Sequence, residues 1–255
     1  QRKKLPGGVT VVCEHLPGLQ TASVGFWLPR GSRNETPSTL GGYHFIEHML
    51  FKGTASRSAR DIAVETESVG GNMNAMTGKE YTCYYAKSLS EDLPLMVEIL
   101  ADMFFNSIFD KEEFDREKQV VLEEISNLVD SPEDFIFDQY LEDSYGAGGI
   151  GHCVLGYERT IEPMSRDKLF RMYRERYLPN ELIVAIAGNM SGLDPAKLVA
   201  ETLARTLGRQ WRKASAAPAA RKAAPNGGPK FRRGVRTYGR DIEQSYFVVG
   251  MPGFS

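Results

Sequence analysis

His44, Glu47 and His48, in the run His44-Phe45-Ile46-Glu47-His48, are the residues whose types and spacing point most directly to chemistry. On a helix, positions i and i+4 stand one turn apart on one face, so both imidazoles reach a single cation. Neutral imidazole is a good zinc ligand, and a carboxylate beside the second ring is placed to take a proton from a water at that cation. The competing reading is an amphipathic helix showing polar side chains to solvent, and it fits poorly. Of four histidines (His15, His44, His48, His152), two fall one turn apart. Phe45, Ile46, Met49, Leu50 and Phe51 would bury this helix, and buried imidazoles and carboxylates are costly without a partner.

The elements that must carry this motif follow from pattern and punctuation. Residues 9–14 and 21–28 alternate as strands joined through Pro17-Gly18, and the motif helix spans 41–51. Ser58 is the expected N-cap of a second helix running to residue 68 and ended by Gly70-Gly71. Strands over 72–76 and 81–87 flank a turn at Gly78-Lys79, and helices follow over 90–105, 110–129 and 132–144. In the second of these, Phe114, Val121, Leu122, Ile125 and Leu128 give a helical period. A helix over 166–177, a strand over 182–187 and a helix over 195–207 come next. Residues 213–230, rich in Ala, Pro, Lys and Gly, read as an exposed linker, and a last strand is expected over 244–250. Strands and helices mix without regular βαβ alternation, so the class is α+β, with residues 1–255 as a single domain.

Composition removes several alternatives. The chain has 255 residues, 42% hydrophobic and 25% charged, as ordinary globular proteins do. A net charge of -2 offers no basic excess for counterion release, so nucleic acid is not an expected partner. Arg2-Lys3-Lys4 and the basic scatter over 221–236 read as solvated tails. No apolar run is long enough to span a bilayer. Cys13, Cys83 and Cys153 lack CxxC spacing and read as reduced thiols. Cys153 follows His152, yet a buried spectator thiol is the better reading than a nucleophile. The glycine-rich loop 146–151 has no phosphate-binding pattern behind it.

Two histidines leave a catalytic zinc short of its third protein ligand. The helix over 110–129 offers Glu112, Glu113, Glu117, Glu123 and Glu124, and the physics of spacing does not choose among them. Glu117 and Glu124, seven apart, share a face. His-x-x-Glu-His is the inverted zincin order. The longer run from Gly42 to Thr54 resembles the signature of the pitrilysin, or M16, metallopeptidases. The segment from Gly70 to Thr77 with Glu80 to Tyr85 is similar to that family's active-site edge strand. Tyr177-Leu178-Pro179-Asn180, Ala187-Gly188-Asn189 and Gly250-Met251-Pro252-Gly253 are similar to its later features, so the resemblance covers nearly the whole chain.

The resemblance implies a largely antiparallel mixed sheet packed with helices, forming one half of a clamshell. It selects Glu124, in Val121-Leu122-Glu123-Glu124-Ile125, as the third zinc ligand, 76 residues after His48 (124 − 48 = 76). It gives Glu117 the role of orienting a ligand histidine by hydrogen bond. It makes Asn74 and Ala75 contacts for an extended peptide, in preference to the plainer reading of Asn74 as a strand-end residue bonding its own turn. One Zn2+ per chain, peptide-bond hydrolysis with Glu47 as base, and a bacterial cytoplasmic or mitochondrial-matrix setting are the further implications. Family members usually carry a second, similar half that closes over the first, so a complementary half or homologous subunit is an expected partner. A non-catalytic scaffold of the same fold is the rival expectation, and the intact His44, Glu47, His48 and Glu124 argue against it.

Overall fold

The computed structural model describes residues 1–208, 211 and 230–252. Its strands and helices run in the order β1 (Arg2–Lys4), β2 (Thr10–His15), β3 (Thr21–Leu28), α1 (Gly42–Leu50), α2 (Ala59–Ser68), β4 (Asn72–Thr77), β5 (Thr82–Leu89), α3 (Leu93–Asn106) and α4 (Lys111–Asp130). Then come α5 (Pro132–Tyr145), α6 (Glu158–Ile161), α7 (Arg166–Arg176), β6 (Ile183–Gly188) and α8 (Pro195–Leu207). No helix among the described residues is long and apolar enough to cross a membrane.

One six-stranded sheet organises these elements in the order β1-β2-β6-β3-β5-β4. Only the β2–β6 pair is parallel, with Thr10 opposite Ile183, so the sheet is mixed and largely antiparallel. Central strand β3 shows why it is central: Ala22, Val24, Phe26 and Leu28 alternate onto one face and are all buried. Against that face lies α3, whose apolar residues surround its circumference, as a helix enclosed on every side requires. Phe104 of α3 sits 6.0 Å, centroid to centroid, from both Phe26 and Tyr84. Burying one such phenyl ring contributes about 1.5–3 kcal/mol. Strand β4 ends the sheet and, among the described residues, its outer edge is unpaired.

Two departures from the sequence reading concern the chain's ends. Arg2-Lys3-Lys4, expected as a solvated tail, forms β1, pairing Arg2 with Val12 and Lys4 with Thr10. Its side chains are all exposed, so the charges that suggest a tail here decorate an edge strand, where lysine discourages further pairing. Residues 244–250, expected as a strand, belong to no sheet. The aromatic and β-branched run Tyr246 to Val249 is suited to a strand, but Phe247 and Val249 stay exposed and no described strand lies beside them. Residues 213–229 of the expected linker lie outside the described residues.

The loop leaving α1 is tied to α3 by a buried polar cluster around Asp102. Asp102 Oδ2 accepts from Thr54 Oγ1 (2.7 Å), Ser56 Oγ (2.7 Å) and Arg57 Nη1 (3.1 Å), and Oδ1 accepts from Asn106 Nδ2 (2.8 Å). Arg57 also reaches Glu65 at 3.0 Å and Glu98 at 2.8 Å. Burial would raise the Asp102 carboxyl, but bonds from Thr54, Asn106, Ser56 and Arg57 outweigh it and hold the group below the usual carboxylate range.

Candidate metal centre

Helix α1 begins in an unusual way, and the site depends on where it begins. Its N-cap, Gly41, has φ 84°, and a Cβ there would lie 2.4 Å from the Leu155 carbonyl oxygen, so only glycine fits. No cap side chain satisfies the first N–H groups. Instead, the buried Glu35 carboxylate accepts from Gly41 N (2.9 Å) and Tyr43 N (2.8 Å), the favourable place for negative charge at a helix start. Glu35 Oε2 also lies 3.3 Å from Nε2 of the fully buried His152. Burial pushes the Glu35 carboxyl up, although His152 and the two N–H donors pull the other way.

From that start, His44 and His48 stand one turn apart on α1 with ring centroids 4.7 Å apart. Helix α4 packs across α1, with the Phe45 and Phe114 rings stacked at 4.9 Å, and Val121 and Ile125 are further buried residues of α4. This crossing places Glu124 Oε2 3.4 Å from His44 Nε2 and 3.5 Å from His48 Nε2. One ligand atom from each of the three residues lies within 4.8 Å of the others. Donors about 2.0–2.1 Å from a tetrahedral zinc stand roughly 3.3–3.4 Å apart, so this spacing suits such an ion. Glu124 Oε2, buried and turned toward both rings, has no hydrogen-bond partner in the protein, as expected of a group arranged for a cation; His44 Nδ1, the ring nitrogen that does not face Glu124, is likewise without one. Burial, followed by the neighbouring His48, holds the His44 imidazole down to about 3, hence neutral and able to donate its lone pair.

The remaining predicted residues take distinct positions. Glu117 is buried behind the pair, its Oε2 3.0 Å from His48 Nδ1 and its Oε1 2.6 Å from Lys52 Nζ. Glu47 receives a hydrogen bond from the Thr77 hydroxyl on Oε2. Burial pushes the Glu47 carboxyl up, with the Thr77 bond and His48 opposing and Glu124 adding to the rise. Asn74 and Ala75 lie on β4, which packs beside α1 and ends at Thr77. The Asn74 side chain is turned onto its own strand, where Oδ1 accepts from Ala75 N at 2.8 Å. The cluster thus assembles His44, Glu47, His48, Glu117 and Glu124, while Asn74 and Ala75 flank it along the sheet edge. Thr77 and Lys52 went unassigned in the sequence; both lie inside the segments carrying the resemblance, but nothing in spacing distinguishes them from ordinary turn residues. Burial pushes the Cys83 and Cys153 thiols up to about 12, which removes both as nucleophiles.

Comparison with known proteins agrees with this geometry. The family model described as insulinase, peptidase family M16, matches residues 10–156. An uncharacterized zinc protease of Streptomyces coelicolor is 41% identical over 100% of the chain and 55% of its own length. The uncharacterized zinc protease YmxG of Bacillus subtilis is 42% identical over 75% of the chain and 47% of its own length. Among solved structures, a protease from Helicobacter pylori superposes with a TM-score of 0.77 at 24% identity, over 91% of this chain and 54% of that one. A peptidase M16 inactive domain from Pseudomonas fluorescens gives 0.74 at 19% identity, over 80% of this chain and 50% of that one, so the shape by itself does not distinguish active from inactive domains. The chain spans about half the length of the curated relatives it matches. On the match across residues 10–156 and the identity along its full length, this chain belongs to the M16 peptidase family.

Proposed function

We propose that the chain is the catalytic half of a zinc-dependent endopeptidase, with His44, His48 and Glu124 holding one zinc ion and Glu47 moving the proton. The observation that carries this reading is the approach of Glu124 Oε2, from α4, to both Nε2 atoms of α1 at 3.4 and 3.5 Å. When bound, zinc would lower the pKa of a water and polarise a scissile carbonyl. Glu47 would be the carboxylate that accepts a proton from water and passes it to the leaving amine. The Thr77 bond occupies Oε2 of Glu47, so Oε1 is the oxygen left for the proton. A carboxyl pushed up by burial keeps the proton more readily between the two transfers. Glu117 fixes the His48 ring from behind. Side-chain exposure of 39% at Glu124, against 12% at His44 and 16% at His48, leaves the cluster open on one side.

The free edge of β4 is the surface for substrate: an extended peptide adds as a further strand and bonds through main-chain groups, with Asn74 and Ala75 at the point of contact. Because the chain spans 55% of the Streptomyces relative, a complementary half completes the substrate chamber. The relatives described above are bacterial, which favours the bacterial cytoplasm over the mitochondrial matrix. The test combines zinc titration with cleavage of an unstructured peptide, with a complementary half supplied. Glu47→Gln should keep stoichiometric zinc and lose about 10²–10⁴-fold in turnover. Parental turnover in that variant would remove Glu47 as the base. Zinc uptake without cleavage under every condition would instead establish the scaffold reading.

A further inference from the structure

Lys52 is a cation placed behind a histidine that faces a metal site. Helix α1 ends at Leu50, and the chain then turns tightly, with Phe51 N donating to the His48 carbonyl and Lys52 N to that of Met49. The turn brings Lys52 back beside His48, and its Nζ lies 2.6 Å from Glu117 Oε1. The other carboxylate oxygen, Oε2, lies 3.0 Å from His48 Nδ1. One buried carboxylate therefore divides its two oxygens between an ammonium and an imidazole. The Glu117 side chain is 9% exposed, so this is not the surface ion pair that contributes little.

We propose that Lys52 is a positioning residue of the metal centre, acting through Glu117 on His48; the inference rests on the metal-binding reading above. A carboxylate buried next to a single ring would be free to rotate and present either Oε1 or Oε2 to it. The ammonium removes that freedom: it fixes Oε1 and leaves Oε2 as the acceptor for His48. His48 must then carry its hydrogen on Nδ1, which leaves the Nε2 lone pair facing Glu124 and His44. Lys52 touches neither ligand atom nor substrate; its effect reaches the metal only through the orientation and basicity of one ring.

The test measures zinc affinity, by competition with a chromogenic chelator, for the parent chain, Lys52→Met, Lys52→Arg, Glu117→Gln and the double variant Lys52→Met/Glu117→Gln. Thermal melting of each zinc-free chain is recorded alongside. Lys52→Met should weaken zinc about 10–100-fold, the range typical of lost outer partners of metal ligands. Lys52→Arg should recover most of that loss. The double variant should bind no more weakly than Glu117→Gln alone, since the lysine acts only through the glutamate. A purely structural lysine would lower the melting temperature and leave affinity unchanged, which would overturn the proposal. So would additive losses in the double variant, or a Lys52→Arg as weak as Lys52→Met. Parental zinc uptake with an unaltered Lys52→Met overturns this proposal alone. Absence of zinc uptake by the parent chain overturns the metal reading and this proposal with it.

Discussion

The chain holds two polar clusters beside helix α1, one around Asp102 and one around Glu124, and they are built to opposite rules. Around Asp102, both oxygens are fully supplied by Thr54, Ser56, Arg57 and Asn106. Around Glu124, the oxygen on which the two rings converge, Oε2, has no hydrogen bond to the protein. A satisfied network gives rigidity, whereas an unsatisfied one is a cost the fold tolerates only where another group completes it. The Asp102 cluster is scaffold; the Glu124 cluster is the one we propose as a site.

The sharpest way to break this contrast is to damage the scaffold. Asp102→Ala should cost about 3 kcal/mol, the low end of what breaking a buried ion pair costs, because Arg57 keeps Glu65 and Glu98. Urea unfolding measures it, and zinc stoichiometry should not change; a variant that loses zinc but not stability would reverse the two roles. Next in size is the response to metal. Free zinc at 100 times its dissociation constant should add about 2.7 kcal/mol to the parent chain, and His48→Ala should lose that increment. Equal stabilisation of parent and variant would place the metal elsewhere.

Acid separates the clusters by the window in which each acts. The His44 imidazole is held down to about 3 in the folded chain, against about 6.5 when unfolded. The unfolded chain therefore binds this proton first, and stability is fully present above about pH 6.5 and falls as pH drops toward the folded value. For a single proton the slope is at most about 1.4 kcal/mol per pH unit. Asp102 is likewise depressed, so its contribution too is lost in acid, but only once pH falls below the ordinary carboxylate range. In zinc-free protein, His44→Asn should flatten the stability profile between about pH 6.5 and 4 and leave the later loss unchanged. An unchanged profile would show that the imidazole is not buried neutral. The smallest effect is expected from Glu124→Gln in zinc-free protein, under about 1 kcal/mol, since no hydrogen bond is lost, while zinc uptake should fall steeply.

The reactive pair was readable before any fold was known, because one helical turn is a local geometry and His44 and His48 sit at its period. The α4 carboxylate was not readable from local geometry: five glutamates were open, and only the family resemblance selected Glu124. The structure adds the reason, since Phe114 stacks on Phe45 where α4 packs against α1, and this crossing carries Glu124 to the histidines. Features set by long-range contacts stayed hidden. The parallel pairing of β2 with β6 joins residues that no turn connects. Glu35 resembles any loop acid until the helix start it holds, and the His152 beside it, are seen together. Residues 244–250 failed in the other direction: a run of β-prone residues forms a strand only when the chain brings it beside another strand, and none of the described strands pairs with it.

The way Asn74 folds its amide onto the Ala75 N–H has a consequence for the chain among its own copies. Strand β4 ends the sheet, and an uncovered border of that kind tends to recruit another border, copy after copy. Sealing the Ala75 donor with a neighbouring side chain makes that border a poor template for polymerisation while keeping it available, by one rotation of a short amide, to an incoming chain that binds strongly enough to displace it.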